Sequence, residues 1–75
     1  MPALKKRSFS VAGHRTSIAL EPEFWAALES EAHARRLALA ALVARIDAGR
    51  ADRNLASALR VHVLRRALEK TLSRT

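Results

Sequence analysis

Hydrophobic and polar positions alternate between His14 and Leu20. Thr16, Ile18 and Leu20 fall on one side of an extended backbone, and Arg15, Ser17 and Ala19 on the other. That two-residue period is the mark of a half-buried β-strand, and it is the only good strand signal in the chain. At Glu21-Pro22 the period changes. Proline suits the first position of a helix, Glu21 and Glu23 oppose its positive end, and Phe24, Leu28 and Ala32 with Trp25 alongside form an apolar flank, predicting a helix over about 22–35. Leu39, Leu42, Val43 and Ile46 follow at i, i+3, i+4 and i+7 and predict a second helix over about 39–48, with Gly49 as its stop. A polar loop leads to Asn54, a good N-cap for a third helix over about 54–72. That helix carries two stripes. Leu55, Ala58, Leu59, His62 and Val63 lie on one side, and Val61, Leu64, Leu68 and Leu72 on nearly the opposite side. The pattern gives a mainly α fold with one strand and three helices.

A lone strand leaves a row of backbone N–H and C=O groups unpaired. Residues 1–13 read as a basic flexible arm, with Phe9 and Val11 as anchors and Gly13 as a bend that resets the register before a domain over 14–75. The simplest source of the missing strand is then a second copy of the chain, paired antiparallel. The expected dimer core comprises Thr16, Ile18, Leu20, Leu42, Ile46 and Leu59. The second stripe of the last helix argues separately for a partner.

Composition narrows the class. Seventy-five residues make one domain at most and bury little surface, so help from oligomerisation is expected. The absence of cysteine removes disulfides and thiolate metal sites. Fourteen Lys and Arg against seven Asp and Glu give a net charge of +7, which makes nucleic acid or an anionic surface the leading partner class. The charge is uneven, since Lys5, Lys6, Arg7 and Arg15 stand in the first fifteen residues with no acid among them. No apolar run is long enough for a membrane span and no secretory signal is legible, so a cytoplasmic, nucleoid-associated protein is expected, without a membrane partner.

A two-stranded antiparallel ribbon fits the DNA major groove. With Thr16, Ile18 and Leu20 turned to the helices, Arg15, Ser17 and Ala19 face base edges. Arginine pairs bidentately with guanine, serine bonds several bases, and the alanine methyl meets the thymine methyl. Against this stands an edge strand whose outer side merely faces water. Lys5, Lys6 and Arg7 read as phosphate contacts or as a solvated tail, and Arg60, Arg65, Arg66 and Lys70 as a solvated helix face. His14, His33 and His62 have no zinc-like spacing, and His62 reads as a core-edge residue. The carboxylates of the first helix appear without a basic or nucleophilic partner at helical reach. No catalytic constellation or cofactor motif is present, so neither an enzyme nor a cofactor is expected.

The order of strand, Leu-x-Pro turn, helix, short connection and helix resembles the ribbon-helix-helix DNA-binding proteins of the Arc and MetJ type. Gly13-His14-Arg15-Thr16-Ser17-Ile18, Leu20-Glu21-Pro22-Glu23-Phe24-Trp25, Leu39-Ala40-Ala41-Leu42-Val43 and Asn54-Leu55-Ala56-Ser57-Ala58-Leu59-Arg60-Val61 look like a small bacterial subgroup of them. The resemblance implies a homodimer reading the groove through Arg15, Ser17 and Ala19, and a second-helix start at Ala38 and Leu39 that grips phosphate, where Arg35 and Arg36 add charge. That grip has a physical basis in the free N–H groups and dipole of a helix N-terminus. Two features depart from the pattern. Arg35-Arg36-Leu37-Ala38 stands where a Gly and a side-chain cap are usual, and Ala19 where a longer polar residue is common. The expected role is a sequence-preferring repressor on an inverted-repeat operator, with several dimers side by side in some assemblies. The alternative is an antitoxin-type or adaptor module that binds a protein through Val61, Leu64, Leu68 and Leu72, with DNA binding secondary.

Overall fold

The computed structural model describes residues 3–73, so the ends of both expected segments lie outside the described residues. The elements are β1 (Lys5–Val11), β2 (His14–Leu20), α1 (Pro22–Ala34), α2 (Leu39–Ala48) and α3 (Leu55–Ser73). The three helices fall within a residue or so of the spans their periodicity predicts.

The second strand comes from the chain itself, which corrects two expectations. Residues 5–11 are not a mobile arm, and β2 needs no second copy to satisfy its backbone on that side. β1 pairs antiparallel with β2 in a register that sets Lys5 against Leu20, Arg7 against Ile18, Phe9 against Thr16 and Val11 against His14. The connection is the two-residue loop Ala12-Gly13, with φ of 53° and 81°. Positive φ at both central residues is what the type I′ hairpin turn requires, and its twist matches that of the flanking strands. The loop also explains the register change expected at Gly13. Opposed residues in an antiparallel pair share a face, so the odd positions of β1 join the even positions of β2. Phe9 and Val11 thereby reach the same side as Thr16, Ile18 and Leu20, with Val11, Ile18 and Leu20 buried.

On that apolar side α2 packs against β1 and α3 against β2, and the three helices pack on one another. Leu20, Leu28, Leu42, Val43 and Leu59 are fully buried, with Trp25 and Ala32 beside them and Phe9, Phe24, Leu39, Ile46 and Val63 packed around. Each such leucine contributes about 1.5–3 kcal/mol relative to an exposed one. A hairpin this small is stabilised by packing on this layer more than by its own hydrogen bonds. The residues expected to form a dimer core thus close the core of a single chain, Ile18, Leu20, Leu42 and Leu59 buried and Thr16 and Ile46 half-buried.

Helix ends show where local chemistry is good and where it is not. Asn54 Oδ1 accepts a 2.8 Å bond from the Ser57 amide at the start of α3, a regular N-cap. α1 ends in a Schellman arrangement, with Arg36 N–H donating to His33 O at 3.1 Å and Leu37 N–H to Ala32 O at 2.8 Å. Arg36 occupies the left-handed position, φ 55°, where glycine is usual. Placing a side chain there costs roughly 1–2 kcal/mol.

Candidate nucleic-acid interface

The hairpin divides its side chains sharply. Its outer side carries, in opposed pairs, Ser10 with Arg15, Ser8 with Ser17, and Lys6 with Ala19. All are exposed except half-buried Ala19. The parity expected for Arg15, Ser17 and Ala19 is therefore the one observed. Ser8, Ser10 and Lys6 join them, two serines that the reading of a single strand missed and one lysine it placed on an arm. The alternation of Ser8 and Ser10 with Phe9 and Val11 was the signal for them. Ser8 Oγ lies 2.9 Å from Ser17 Oγ, which ties the two strands across the middle of this face. Where Ala19 is short, Lys6 stands directly opposite and supplies the reach and charge that Ala19 lacks.

Arg7 lies on the other side. Its guanidinium pairs with Glu29 of α1 and stands 5.3 Å from the centre of the Trp25 ring. Phe9 packs against the same ring at 5.8 Å, and Trp25 Nε1 donates to Lys5 O at 2.7 Å. Trp25 is a core residue that clamps β1 to α1, and its indole is buried rather than presented as a stacking platform. Lys5 is exposed beside Leu20 at the open end of the hairpin. The three basic residues of the expected arm thus go to different places, Lys6 outward, Arg7 inward and Lys5 to the rim.

The start of α2 has Ala38 in extended conformation at the N-cap and no side-chain cap, as the residues there imply. The Ala41 amide already donates to Ala38 O at 3.0 Å, which leaves the Leu39 and Ala40 amides open to an anion or water. Leu39 is half-buried and Ala38 exposed, and Arg36 is exposed beside them. Arg35 is partly engaged, donating to Glu31 Oε2 at 2.8 Å. A separate open groove of about 740 Å³ between α2 and α3 is lined by Arg35, Arg45, Arg53 and Arg65 together with Asp52 and the apolar Ile46.

Glu31 corrects the reading of the helix carboxylates. Its side chain is only 3% exposed, and it bonds Arg35 four residues on, His62 Nε2 at 2.7 Å and lies 3.7 Å from Arg66. Burial opposes ionisation of Glu31, but hydrogen bonds from His62 and Arg35 and the charges of His62 and Arg66 outweigh it. Its carboxyl is held below the ordinary glutamate range. The cluster staples α1 to α3, so His62 sits at the core edge for a polar reason, through a pairing distant in sequence. Arg60 is also tied down, 2.9 Å from Glu21 and 5.7 Å from the Phe24 ring centre. Glu21 titrates below its usual range, chiefly through its own backbone amide and then through Arg60. Of the expected solvated face on α3, only Arg65 and Lys70 lack such ties among the described residues.

Among the described residues no group of His, Asp or Glu could hold a metal ion, and no helix is long and apolar enough to cross a membrane. A family model described as a ribbon-helix-helix domain matches residues 4–67, a span that begins with β1 and runs well into α3. No curated protein and no solved structure matches the chain significantly.

Proposed function

Because the chain belongs to the ribbon-helix-helix family, whose members bind DNA, are not enzymes and usually form dimers, we propose that it is a sequence-preferring transcriptional repressor that lays its own hairpin in the major groove. The observation that carries this reading is the outer face of the hairpin. Apart from Ala19 it is polar or basic and exposed, while the opposite face packs Val11, Ile18 and Leu20 into the core. A hairpin is already the two-stranded ribbon that the groove admits, so one chain brings a complete reading surface. Arg15, Ser17 and Ala19 meet base edges, with Lys6, Ser8 and Ser10 beside them on the second strand.

Lys5, the α2 start at Ala38 and Leu39, and the flanking Arg35 and Arg36 contact phosphate. Arg7 makes a smaller contribution because Glu29 already engages it. With neither a long polar side chain at position 19 nor a capped α2, phosphate contacts supply much of the affinity, and binding falls steeply with salt. Occupation of an inverted-repeat operator by paired chains is the mode of repression, with several pairs side by side on longer sites. The site of action is the cytoplasmic nucleoid.

Selection of bound sites from random DNA at fixed salt tests the proposal, with the Arg15→Ala variant run in parallel. The variant is expected to lose about 1–3 kcal/mol on the selected site and little on random DNA. Equal losses on all sequences would defeat base readout. A second reading, an antitoxin-type or adaptor module with DNA binding secondary, is favoured by the exposed Leu64 and Leu68 of α3. A defined heteromer that forms while DNA affinity is absent would establish it.

A further inference from the structure

Apart from Arg35, the groove between α2 and α3 takes no part in the proposed DNA contacts, and two matched helical stripes build its walls. On α2, Leu42, Arg45, Ile46 and Gly49 recur at i, i+3, i+4 and i+7. On α3, Ala58, Val61, His62 and Arg65 repeat that spacing. Leu42 and Ala58 are buried and Ile46 and Val61 half-buried, so the floor of the groove is apolar. The connection from α2 to α3 lines one end. Arg50 holds that connection in shape, donating to Asp47 Oδ1 at 2.6 Å and to Arg53 O at 2.8 Å. Cations surround the floor. Arg35 and Arg50 are committed to Glu31 and Asp47, whereas Arg45, Arg53 and Arg65 are exposed and have no ion-pair partner among the described residues. Asp52 is the one acid on the walls among those residues.

We propose that this groove binds a small organic anion with an apolar body, its acid group held by Arg45 and Arg65 and its body resting on Ile46 and Val61. Charge complementarity selects the sign. Three uncommitted guanidiniums reach the groove from α2, from the connection and from α3, and a guanidinium pairs bidentately with carboxylate and phosphate alike. An aromatic carboxylate and a mononucleotide therefore share the required chemistry. The floor selects against a bare ion, because inorganic phosphate leaves Ile46 and Val61 in water. A DNA backbone would meet the cations at the rim and leave the floor unfilled in the same way. Size agrees with a small ligand, since about 740 Å³ lies within the roughly 300–1,000 Å³ of small-molecule sites.

The test is a fluorescence titration of the full chain, without DNA, using anilinonaphthalene sulfonate, an anion joined to an aromatic body. Saturable binding of one dye per chain is expected. Phenylnaphthylamine, the same body without the sulfonate, and inorganic phosphate, a charge without a body, are each expected to bind about tenfold more weakly. Arg45→Ala and Arg65→Ala are each expected to weaken the dye about tenfold, the worth of one charge-assisted bond, and to leave the melting temperature unchanged because both side chains are exposed. Lys70→Ala removes an exposed cation of α3 outside the groove and is expected to leave dye binding as it was. Displacement of the dye by an aromatic carboxylate supports the site and points to a carboxylate ligand, and displacement by a mononucleotide supports it and points to a phosphate. Absence of saturable binding, equal losses in Lys70→Ala, undiminished binding in both arginine variants, or equally tight binding of phenylnaphthylamine would overturn the proposal. Displacement by duplex DNA but by neither small anion would assign the groove to DNA and overturn it as well.

Discussion

The Ala12-Gly13 turn offers the sharpest test of the fold, because the two ways of completing the ribbon make opposite demands on it. In the hairpin Gly13 holds φ 81°, and a Cβ added there meets nothing within 4 Å. Gly13→Ala therefore removes no contact and creates no clash, and its effect is purely one of backbone conformation. The left-handed position costs an L-residue about 1–2 kcal/mol, offset by about 0.4–1 kcal/mol from the smaller conformational freedom of the unfolded chain. The net expectation is a loss of about 0.5–1.5 kcal/mol, and Gly13→Val loses more because its branched side chain tolerates positive φ least. Ala12 holds φ 53°, so Ala12→Asn, which builds the favoured Asn-Gly pair, is expected to gain about 0.5–1 kcal/mol. A domain this small shifts its melting temperature by roughly 4–8 °C per kcal/mol, so circular dichroism melts resolve all three variants. A strand running extended through residues 12 and 13 into a second chain would reverse the signs. Stabilisation by Gly13→Val together with destabilisation by Ala12→Asn would refute the intrachain hairpin.

Other consequences concern the polar staples and the α1 to α2 turn. Glu31 and Glu21 both titrate below their ordinary range in the fold, so their stabilisation is complete above the unfolded carboxylate range and is lost as pH falls through it toward their lowered values. Glu31→Gln is expected to cost about 1–2 kcal/mol at neutral pH, because His62, Arg35 and Arg66 are partly exposed and can re-solvate, and to flatten the acid side of the stability profile. An unchanged slope below about pH 4.3 in urea titrations would discount the cluster. Arg36→Gly relieves a left-handed arginine and is expected to stabilise by about 1 kcal/mol, while lowering the salt dependence of DNA binding by about one unit of slope. Faster dissociation without the stability gain would show that the turn is unstrained. Trp25→Phe removes the bond to Lys5 O and is expected to cost about 1–2 kcal/mol. Hydrogen exchange should quicken in β1 first, and uniform quickening would show that the indole does not clamp that strand.

Local order was legible in the residues alone. The periods of two and 3.6, Pro22 at a helix start, Gly49 at a helix end and the Asn54 cap located β2 and all three helices, because these signals act within a few residues and owe nothing to the rest of the fold. The same alternation correctly assigned Thr16, Ile18 and Leu20 to the helix-facing side of the strand, Ile18 and Leu20 buried there and Thr16 half-buried, and Arg15, Ser17 and Ala19 to the outer side, since a strand against one layer has only two faces. Pairing was another matter. Lys5-Lys6-Arg7 concealed β1 as a charged tail, and Ala12 is an unusual residue for a type I′ turn, so nothing nearby announced the hairpin. Only packing decided it, by giving Phe9, Val11 and the Lys5 carbonyl something to rest on in Trp25 and the helix layer. The Glu31 cluster joins residues 31 positions apart, and Arg7 leaves the basic face for Glu29 and Trp25. Charge counts cannot foresee either, because a guanidinium goes wherever the fold places a carboxylate and a ring within its reach.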